Sequence, residues 1–473
     1  MSKHARPTSP RGGFALLATV QLMVSTTVTV TSIAGPAIRA ACGLSEGQLV
    51  TVSTAYPLAF SGLLLLGGRL TDLAGQRRCF TSGVLLYAVG CLLAVPATDF
   101  ALLVAARAVQ GAGAACAAPA AMALLGSLYP DPRRRTRATA AWGPLASLGA
   151  VVGVLLGGFA VAWISWRAAF AVLAAVGLLV TVSARALLPP VPPRRTARID
   201  VPGVLLGATG VALVGQGFGA AGGHGWASAP ALALLAGGAL LLAAFALVES
   251  RVRHPVLPPA LLRSRRRAVA LLTAGVGPAC GAGATFVLGQ YFQRSRGMSA
   301  GHTALAFVPF GLVLTGVGLL APHLSARLSA HRTAVTGVLL SATGMLVLGR
   351  TGEHSPYAGE LLAGLLILPA GIGLVVSGAT LVAAQRVPPE LAGAFGGTLN
   401  TAMQTGPALG IALLVSLSGP GPAGYAVAFT TAGLALLAAT AAVALGLRAG
   451  PGSALPRPER PSIGAARAGK AIR

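Results

Sequence analysis

Gly67-Gly68-Arg69-Leu70-Thr71-Asp72-Leu73-Ala74-Gly75-Gln76-Arg77-Arg78 is a short basic stretch between two long apolar ones, Gln48–Gly68 and Cys79–Pro96. Apolar runs of roughly 20 residues, long enough to cross a bilayer as a helix, recur about fourteen times from Phe14 onward. The gaps between them alternate in charge. Every second gap, together with the two ends of the chain, holds 29 of the 35 lysines and arginines. The intervening gaps hold only Arg39, Arg167, Arg294, Arg296 and Arg350, and Arg107 lies inside a run. Basic segments resist translocation, so the alternation predicts both termini in the cytoplasm, odd spans running outward and even spans inward.

Composition agrees with lipid as the solvent. The 473 residues are 55% hydrophobic and only 10% charged, with a mean hydropathy of +0.77, whereas soluble domains carry about 25% charged residues. A net charge of +25 is an argument for nucleic acid only if the basic residues share one aromatic-studded face. Here they sit in short loops, where anionic membrane lipid is the better partner. Cys42, Cys79, Cys91, Cys116 and Cys280 form no CxxC pair, which gives no basis for a disulfide framework or a metal site. No cofactor motif is present, and the dispersed histidines offer no catalytic set, so an enzyme is not expected. The basic N-terminus leads into an apolar run too long for a signal-peptide core, hence an uncleaved first span. Arginine far outnumbers lysine and Ala and Gly abound, as in a GC-rich bacterial genome, which places the chain in a bacterial plasma membrane.

The spans read Phe14–Ile38, Gln48–Gly68, Cys79–Pro96, Ala101–Tyr129, Ala138–Ala162 and Trp166–Leu188, then a Pro/Arg-rich linker over 189–200. Two further spans follow, Val201–Ala221 and Trp226–Glu249. After a basic loop, six more run to about Leu447. The plan is an all-α polytopic membrane protein. An N-terminal six-helix half covers 1–188, and the linker, inserted helix pair and basic loop 189–266. A C-terminal six-helix half covers 267–447, and a disordered cytoplasmic tail 448–473. The segment after span 10, Pro322-His323-Leu324-Ser325-Ala326-Arg327-Leu328-Ser329-Ala330-His331-Arg332, echoes the opening stretch. Such an echo is expected of parallel internal repeats.

Three motifs carry mechanism. In the opening stretch, Gly68 and Gly75 permit a tight reversal. Asp72 among Arg69, Arg77 and Arg78 can pair or cap in one conformation and release in another. In span 4, Arg107 and Gln110 stand at i and i+3 on one face. A charge within a span costs at least about 2.5–3.5 kcal/mol at the helix centre and so marks function. In span 5, Gly149, Gly153 and Gly157 form a stripe at a spacing of four for close helix packing, joined by Gly158.

Together these motifs resemble the major facilitator superfamily. The opening stretch is similar to its loop signature, departing at Leu73 and Gln76 where arginines are usual. Leu103, Arg107, Gln110 and Gly111 follow its span-4 signature, associated there with proton movement. The span-5 glycines are similar to the signature of drug:proton exporters, with Val154 in place of its proline. The resemblance covers essentially the whole chain and implies a fourteen-span drug exporter acting alone, as a monomer, by proton antiport. It makes Gly68, Asp72, Gly75, Arg77 and Arg78 a gating loop.

One expected group is missing. Where exporters of this branch usually carry an aspartate in span 1, this chain has Thr27, and none of the ten acidic residues falls mid-span. With Arg107 the sole mid-span charge, the cavity should favour a neutral or anionic small organic molecule, such as an antibiotic or other natural product. Asp99 and Glu360, near the outer ends of spans 4 and 12, are the proton carriers expected to work with Arg107. Thr27, Thr31, Tyr56, Gln110, Gln290, Asn400 and Gln404 are the polar positions expected to line the cavity. The competing readings are an uptake permease of the same superfamily and, remotely, a membrane-embedded enzyme.

Overall fold

In lipid an apolar run can satisfy its backbone only by bonding to itself, and among the described residues the chain is helical with no strand. The computed structural model describes residues 10–191, 201–252, 257, 259–353, 355–385, 387, 392–419 and 421–447. Most of the expected linker 189–200 and the tail from 448 lie outside them. The first group of helices is α1 (Pro10–Cys42), α2 (Glu46–Ala74), α3 (Gln76–Ala94), α4 (Phe100–Leu128), α5 (Pro132–Ala140), α6 (Trp142–Trp163) and α7 (Trp166–Leu187). Next come α8 (Val201–His224), α9 (Ala229–Arg251) and the single turn α10 (Pro259–Leu262). The second group is α11 (Arg265–Gln290), α12 (Ala300–Ala306), α13 (Val308–Leu328), α14 (Ala330–Leu348), α15 (Leu362–Ala384), α16 (Ala392–Leu417) and α17 (Gly421–Gly446). Two π-turns, Tyr291–Ser295 and Tyr357–Leu361, extend α11 and precede α15.

Among the described residues, thirteen helices are long and apolar enough to cross a membrane. The fourteenth span is α16, 26 residues long and diluted by Asn400, Gln404 and Pro407. Two expected spans are divided. The fifth begins with a separate arginine-rich turn, α5, capped by Asp131. The tenth breaks at Phe307, whose N–H is shared between Thr303 O at 3.3 Å and Ala304 O at 3.2 Å. Pro309 lacks the N–H that Leu305 O would otherwise receive.

The opening stretch is more helical than a loop. α2 continues to Ala74 and α3 starts at Gln76, leaving Gly75 (φ 90°) as the single hinge residue. Gly68 therefore lies inside α2 and makes no reversal, because Arg69 to Asp72 carry the helix on and Thr71 Oγ1 donates to Gly67 O at 2.8 Å. The echo has the same geometry. Ser329, between α13 and α14, has φ 76° and ψ 145°, against 90° and 141° at Gly75, and is the one non-glycine residue with positive φ among those described.

Helix packing in the two groups is parallel. α1 packs on α6, α2 and α3 on α4, and α3 on α7; α11 packs on α16, α13 and α14 on α15, and α14 on α17. The groups meet where α1 packs on α11 and along two seams, α2 with α16, and α6 with α12 and α13. α8 fills the first seam. A Cβ built on Gly62 of α2 would fall 2.7 Å from Ala208 Cβ, and one on Gly222 of α8 would fall 3.1 Å from Ser416 Cα of α16. α9 packs on α8 and is otherwise largely exposed. The second seam has no such cover among the described residues.

At the arginine-poor face the groups are sealed. Every residue from Thr29 to Gly35 and from Ala282 to Phe292 is buried. The π-turn after α11 crosses to the first group, where Gln293 Nε2 donates to Ile33 O at 2.9 Å and Arg294 pairs with Glu46 at 3.4 Å. Towards the basic face the same helices carry half-buried positions, among them Gln21, Leu22 and Ser25 on α1 and Val276 and Ala279 on α11. Arginines on the sealed face are mostly occupied. Arg39 donates to Leu44 O at 3.0 Å, Arg167 to Val95 O and Ala97 O at 2.9 Å each, and Arg296 to Ser355 O. They meet carbonyls left over at helix ends and in the turns beyond them.

Candidate functional site

Arg107 begins the site. It stands seven residues into α4, about 10 Å from the helix start, so it lies nearer the sealed face than the midpoint that its place within the run predicted. Its side chain is 0% exposed. One face of the guanidinium lies 4.9 Å from the Tyr56 ring centroid, and Phe170 of α7 is 5.9 Å away. Nη1 donates to Gln110 Oε1 at 2.9 Å, and Nε reaches Val52 O of α2 at 3.5 Å. Nη2 is buried with no hydrogen-bond partner. Stacking of a desolvated guanidinium on an aromatic face is worth about 2 kcal/mol, a fraction of the cost of burying the charge. Among the described residues the one ion pair is Glu46 with Arg294, so no carboxylate neutralises Arg107.

A polar chain runs on from it. Gln110 Nε2 donates to Cys91 Sγ of α3 at 2.8 Å, which uses both ends of the amide. Tyr56 OH donates to Val24 O at 3.1 Å, and Tyr87 OH lies 3.4 Å from Met23 O. Thr27 hydrogen-bonds to Tyr87 OH and donates to Met23 O at 2.8 Å. Thr27, Tyr56, Gln110 and Arg107 therefore form one buried cluster shared by α1 to α4 and closed by α7. Thr27, Tyr56 and Gln110, expected to line the cavity, are 0% exposed here, with their polar atoms facing inward within the first group. Thr31 bonds back to Thr27 O at 3.1 Å on its own helix.

The remaining cavity candidates sit in the second group and do not join this cluster. Gln290 is 3% exposed with neither amide atom bonded. Asn400 and Gln404 are half-buried on α16. Of the acids expected to carry protons, Asp99 is exposed and caps α4, accepting from Leu102 N at 2.9 Å. A cap in water is placed to hold a helix end, not to relay a proton through the bundle. Glu360 lies in the π-turn before α15 with Oε2 buried and unbonded. In the opening stretch Asp72 is half-buried and makes no ion pair within 4 Å among the described residues. Arg77 reaches Leu188 O, at the end of α7, at 3.3 Å, and Arg78 is exposed.

The span-5 glycines lie where α6 crosses two neighbours. A Cβ on Gly149 would fall 2.7 Å from Leu22 O, one on Gly157 3.0 Å from Val30 O, and one on Gly153 against Thr29 Oγ1 and Thr26 O. Gly158 turns the other way, with Ala300 O 2.7 Å from its virtual Cβ. Thr26 Oγ1 donates to Gly149 O at 2.9 Å and Thr29 Oγ1 to Ala150 O at 3.0 Å, which ties α1 to this stripe. Sequence reasoning chose Thr27 and Thr31 and missed Thr26 and Thr29. The signal for the missed pair was their spacing of three, which puts both hydroxyls on one face of α1. Tyr87, Cys91 and Phe170 were also missed, since each sits singly in an ordinary apolar run. Glu46 and Arg294 were legible in principle as opposite charges on a charge-poor face.

With this geometry in hand, comparisons bear on it. The pattern of the family described as the Major Facilitator Superfamily matches residues 17–411. The chain is 39% identical over 418 residues to a puromycin resistance protein of Streptomyces alboniger, covering 87% of this chain and 82% of that one. It is 36% identical over 416 residues to a cephamycin export protein of Amycolatopsis lactamdurans, covering 86% and 85%. In fold it is similar to the crystal structure of a peptide transporter bound to sulfate, with a TM-score of 0.68 at 17% identity, covering 95% of this chain and 98% of that one.

Proposed function

Because the chain belongs to the Major Facilitator Superfamily, a family of transporters and not of enzymes, we propose that it exports a neutral or anionic small organic molecule by proton antiport. The molecule is an antibiotic or related natural product, and its export from a bacterial cell gives resistance or self-protection. Relatives named for puromycin resistance and cephamycin export support the substrate class. The observation that carries the charge preference is Arg107, fully buried, unpaired at Nη2 and with no described carboxylate within 4 Å. A cationic substrate would meet a positive potential undiminished by solvent, whereas a neutral or anionic one would not.

In this reading both termini are cytoplasmic, the basic face is the inner one, and the conformation is closed outside. The groups 1–188 and 267–447 rock about the site as a monomer. Asp72, Gly75, Arg77 and Arg78 control the inner closure. Glu360, with its buried unbonded oxygen, is a better proton carrier than Asp99.

The test is transport by energised inside-out vesicles offered a panel of neutral, anionic and cationic antibiotics in the medium. Neutral and anionic compounds should accumulate, and a protonophore should abolish accumulation. Uptake by intact cells instead would reverse the direction. A quaternary ammonium dye as best substrate would refute the charge preference.

A further inference from the structure

The amide of Gln110 lies between the Arg107 guanidinium and α3, and its two ends are chemically opposite, since the oxygen accepts and the nitrogen donates. With Oε1 on Arg107 Nη1 at 2.9 Å and Nε2 on Cys91 Sγ at 2.8 Å, both ends are used. Turned over, Nε2 would meet Nη1 as donor against donor, and a buried donor left in that way is costly. The acceptor on α3 therefore decides which way the amide points, and Cys91 supplies it. Gln110 and Cys91 are both 0% exposed, so solvent does not stand in for the sulfur.

Two observations separate this contact from packing. First, the closeness of α3 to α4 comes from Gly90, not from Cys91. A Cβ on Gly90 would fall 2.6 Å from Gln110 N and 2.7 Å from Gln110 Cγ. In the second group Gly344 of α14 meets Leu368 of α15 in the same way, 2.7 Å from Leu368 N and 2.8 Å from Leu368 Cβ. The residue after that glycine is Met345, fully buried and facing a leucine that has no side-chain donor. The frame thus closes with or without a polar contact at this place. Second, the sulfur is held at a set height. Tyr87 stands one turn before Cys91 on α3, and its OH is hydrogen-bonded to Thr27 of α1.

We infer that Cys91 is a positioning residue for Arg107, its sulfur setting the sense of the Gln110 amide and so keeping an acceptor on the guanidinium. This rests on the reading that Arg107 serves export. The thiol acts through Gln110, one hydrogen bond removed from the charge.

The experiment compares Cys91→Val, which keeps the bulk and loses the acceptor, with Cys91→Ser, which keeps an acceptor and loses bulk, in the full chain in proteoliposomes. Phenylglyoxal, a guanidine reagent that crosses membranes, reports on Arg107 through the mass of the peptide that carries it. Cys91→Val should raise the rate of Arg107 modification about tenfold, and Cys91→Ser should leave it within about threefold. In a Gln110→Leu background the valine should add nothing. In inside-out vesicles Cys91→Val should lower the maximal rate for the best neutral compound of the antibiotic panel about tenfold, with KM within about threefold, and serine should restore the rate. Should the valine variant fail to reach the membrane, Cys91→Ala replaces it with the same expectations. A packing role predicts the reverse order, serine worse than valine, and that order overturns the inference. So does a valine effect that persists undiminished without Gln110, or altered modification with unaltered transport. If modification follows the expected pattern while even the unaltered protein moves no compound of the panel, the exporter reading falls and the positioning of Arg107 stands.

Discussion

Arg107 and Leu365 occupy the same place in the two helix groups. A Cβ on Gly113 of α4 would lie 2.7 Å from Gly83 O of α3, and one on Gly371 of α15 would lie 2.8 Å from Gly337 O of α14. Counting six residues back from each α4/α15 glycine reaches Arg107 and Leu365, and three back reaches Gln110 and Leu368. The α3/α14 neighbours Tyr87 and Cys91 correspond to Ser341 and Met345. Arg107, Gln110, Leu365 and Leu368 are all 0% exposed. One packing frame therefore carries a cation, an amide, a thiol and a phenol in the first group and an almost wholly apolar set in the second. The fold has no need of the charge, since the second group manages without one. What the charge serves must lie outside packing.

The largest expected effect tests that difference directly. Arg107→Ala should lower vesicle transport about a hundredfold or more while the protein stays in the membrane, as fits a charge kept against its burial cost. Leu365→Ala should leave transport within about threefold and instead destabilise by about 2–5 kcal/mol through the cavity it opens. Equal losses of transport in both variants would erase the distinction.

The paired turns come next. Gly75→Ala forces a side chain into a region that only glycine occupies comfortably, at a cost of about 1–3 kcal/mol, and Ser329→Gly should recover about 1 kcal/mol. Thermal unfolding midpoints in detergent should move in opposite directions. Movement in the same direction would show that the two turns are not equivalents.

Between the groups, Glu46→Gln should loosen the sealed face. The pair is partly exposed, at 26% and 55% for Arg294 and Glu46, so its loss is worth about 1 kcal/mol at most. A cysteine placed at Ser32 should react about two- to fivefold faster with an impermeant maleimide. The charge reversal Glu46→Arg with Arg294→Glu should restore the slower rate. The smallest effect concerns α1 on α6 against α11 on α16. The first contact uses threonine hydroxyls, whereas the second brings Gly275 and Gly283 against Gly406 and Gly410. Thr26→Val and Thr29→Val should each cost about 0.6 kcal/mol, and Gly410→Ala, which forces the backbones apart, should cost more.

Span number and the six-two-six order were legible because apolar length and loop arginines report directly on lipid. The single-residue turn at Gly75 was partly so. The spacing of glycines gave its place, but α2 running on to Ala74 depends on helix contacts with α4 that the stretch itself does not show. The capping role of Asp99 was signalled as well. Asp directly before Phe100-Ala101-Leu102-Leu103 is an N-cap pattern. The break at Phe307 was signalled by Pro309, yet hydropathy averages over it. The burial of Arg107 and its pairing with Gln110 could be foreseen, but its neighbours on other helices could not. Tyr87, Cys91 and Phe170 come from helices 16 or more residues away in sequence, and a single aromatic or thiol in an apolar run says nothing of the direction it faces.

The arginines of the sealed face carry a consequence for biogenesis. A chain threaded into the bilayer N-terminus first must hand over each guanidinium before the protein is complete. Arg39 finds Leu44 O within its own connection, Arg167 finds Val95 O and Ala97 O already delivered, and Arg294 finds Glu46 waiting. Arg296 precedes its acceptor, Ser355, by 59 residues, and until two more helices emerge that carbonyl is not available to it. That interval is the moment at which a nascent copy is most exposed to inverting its second half.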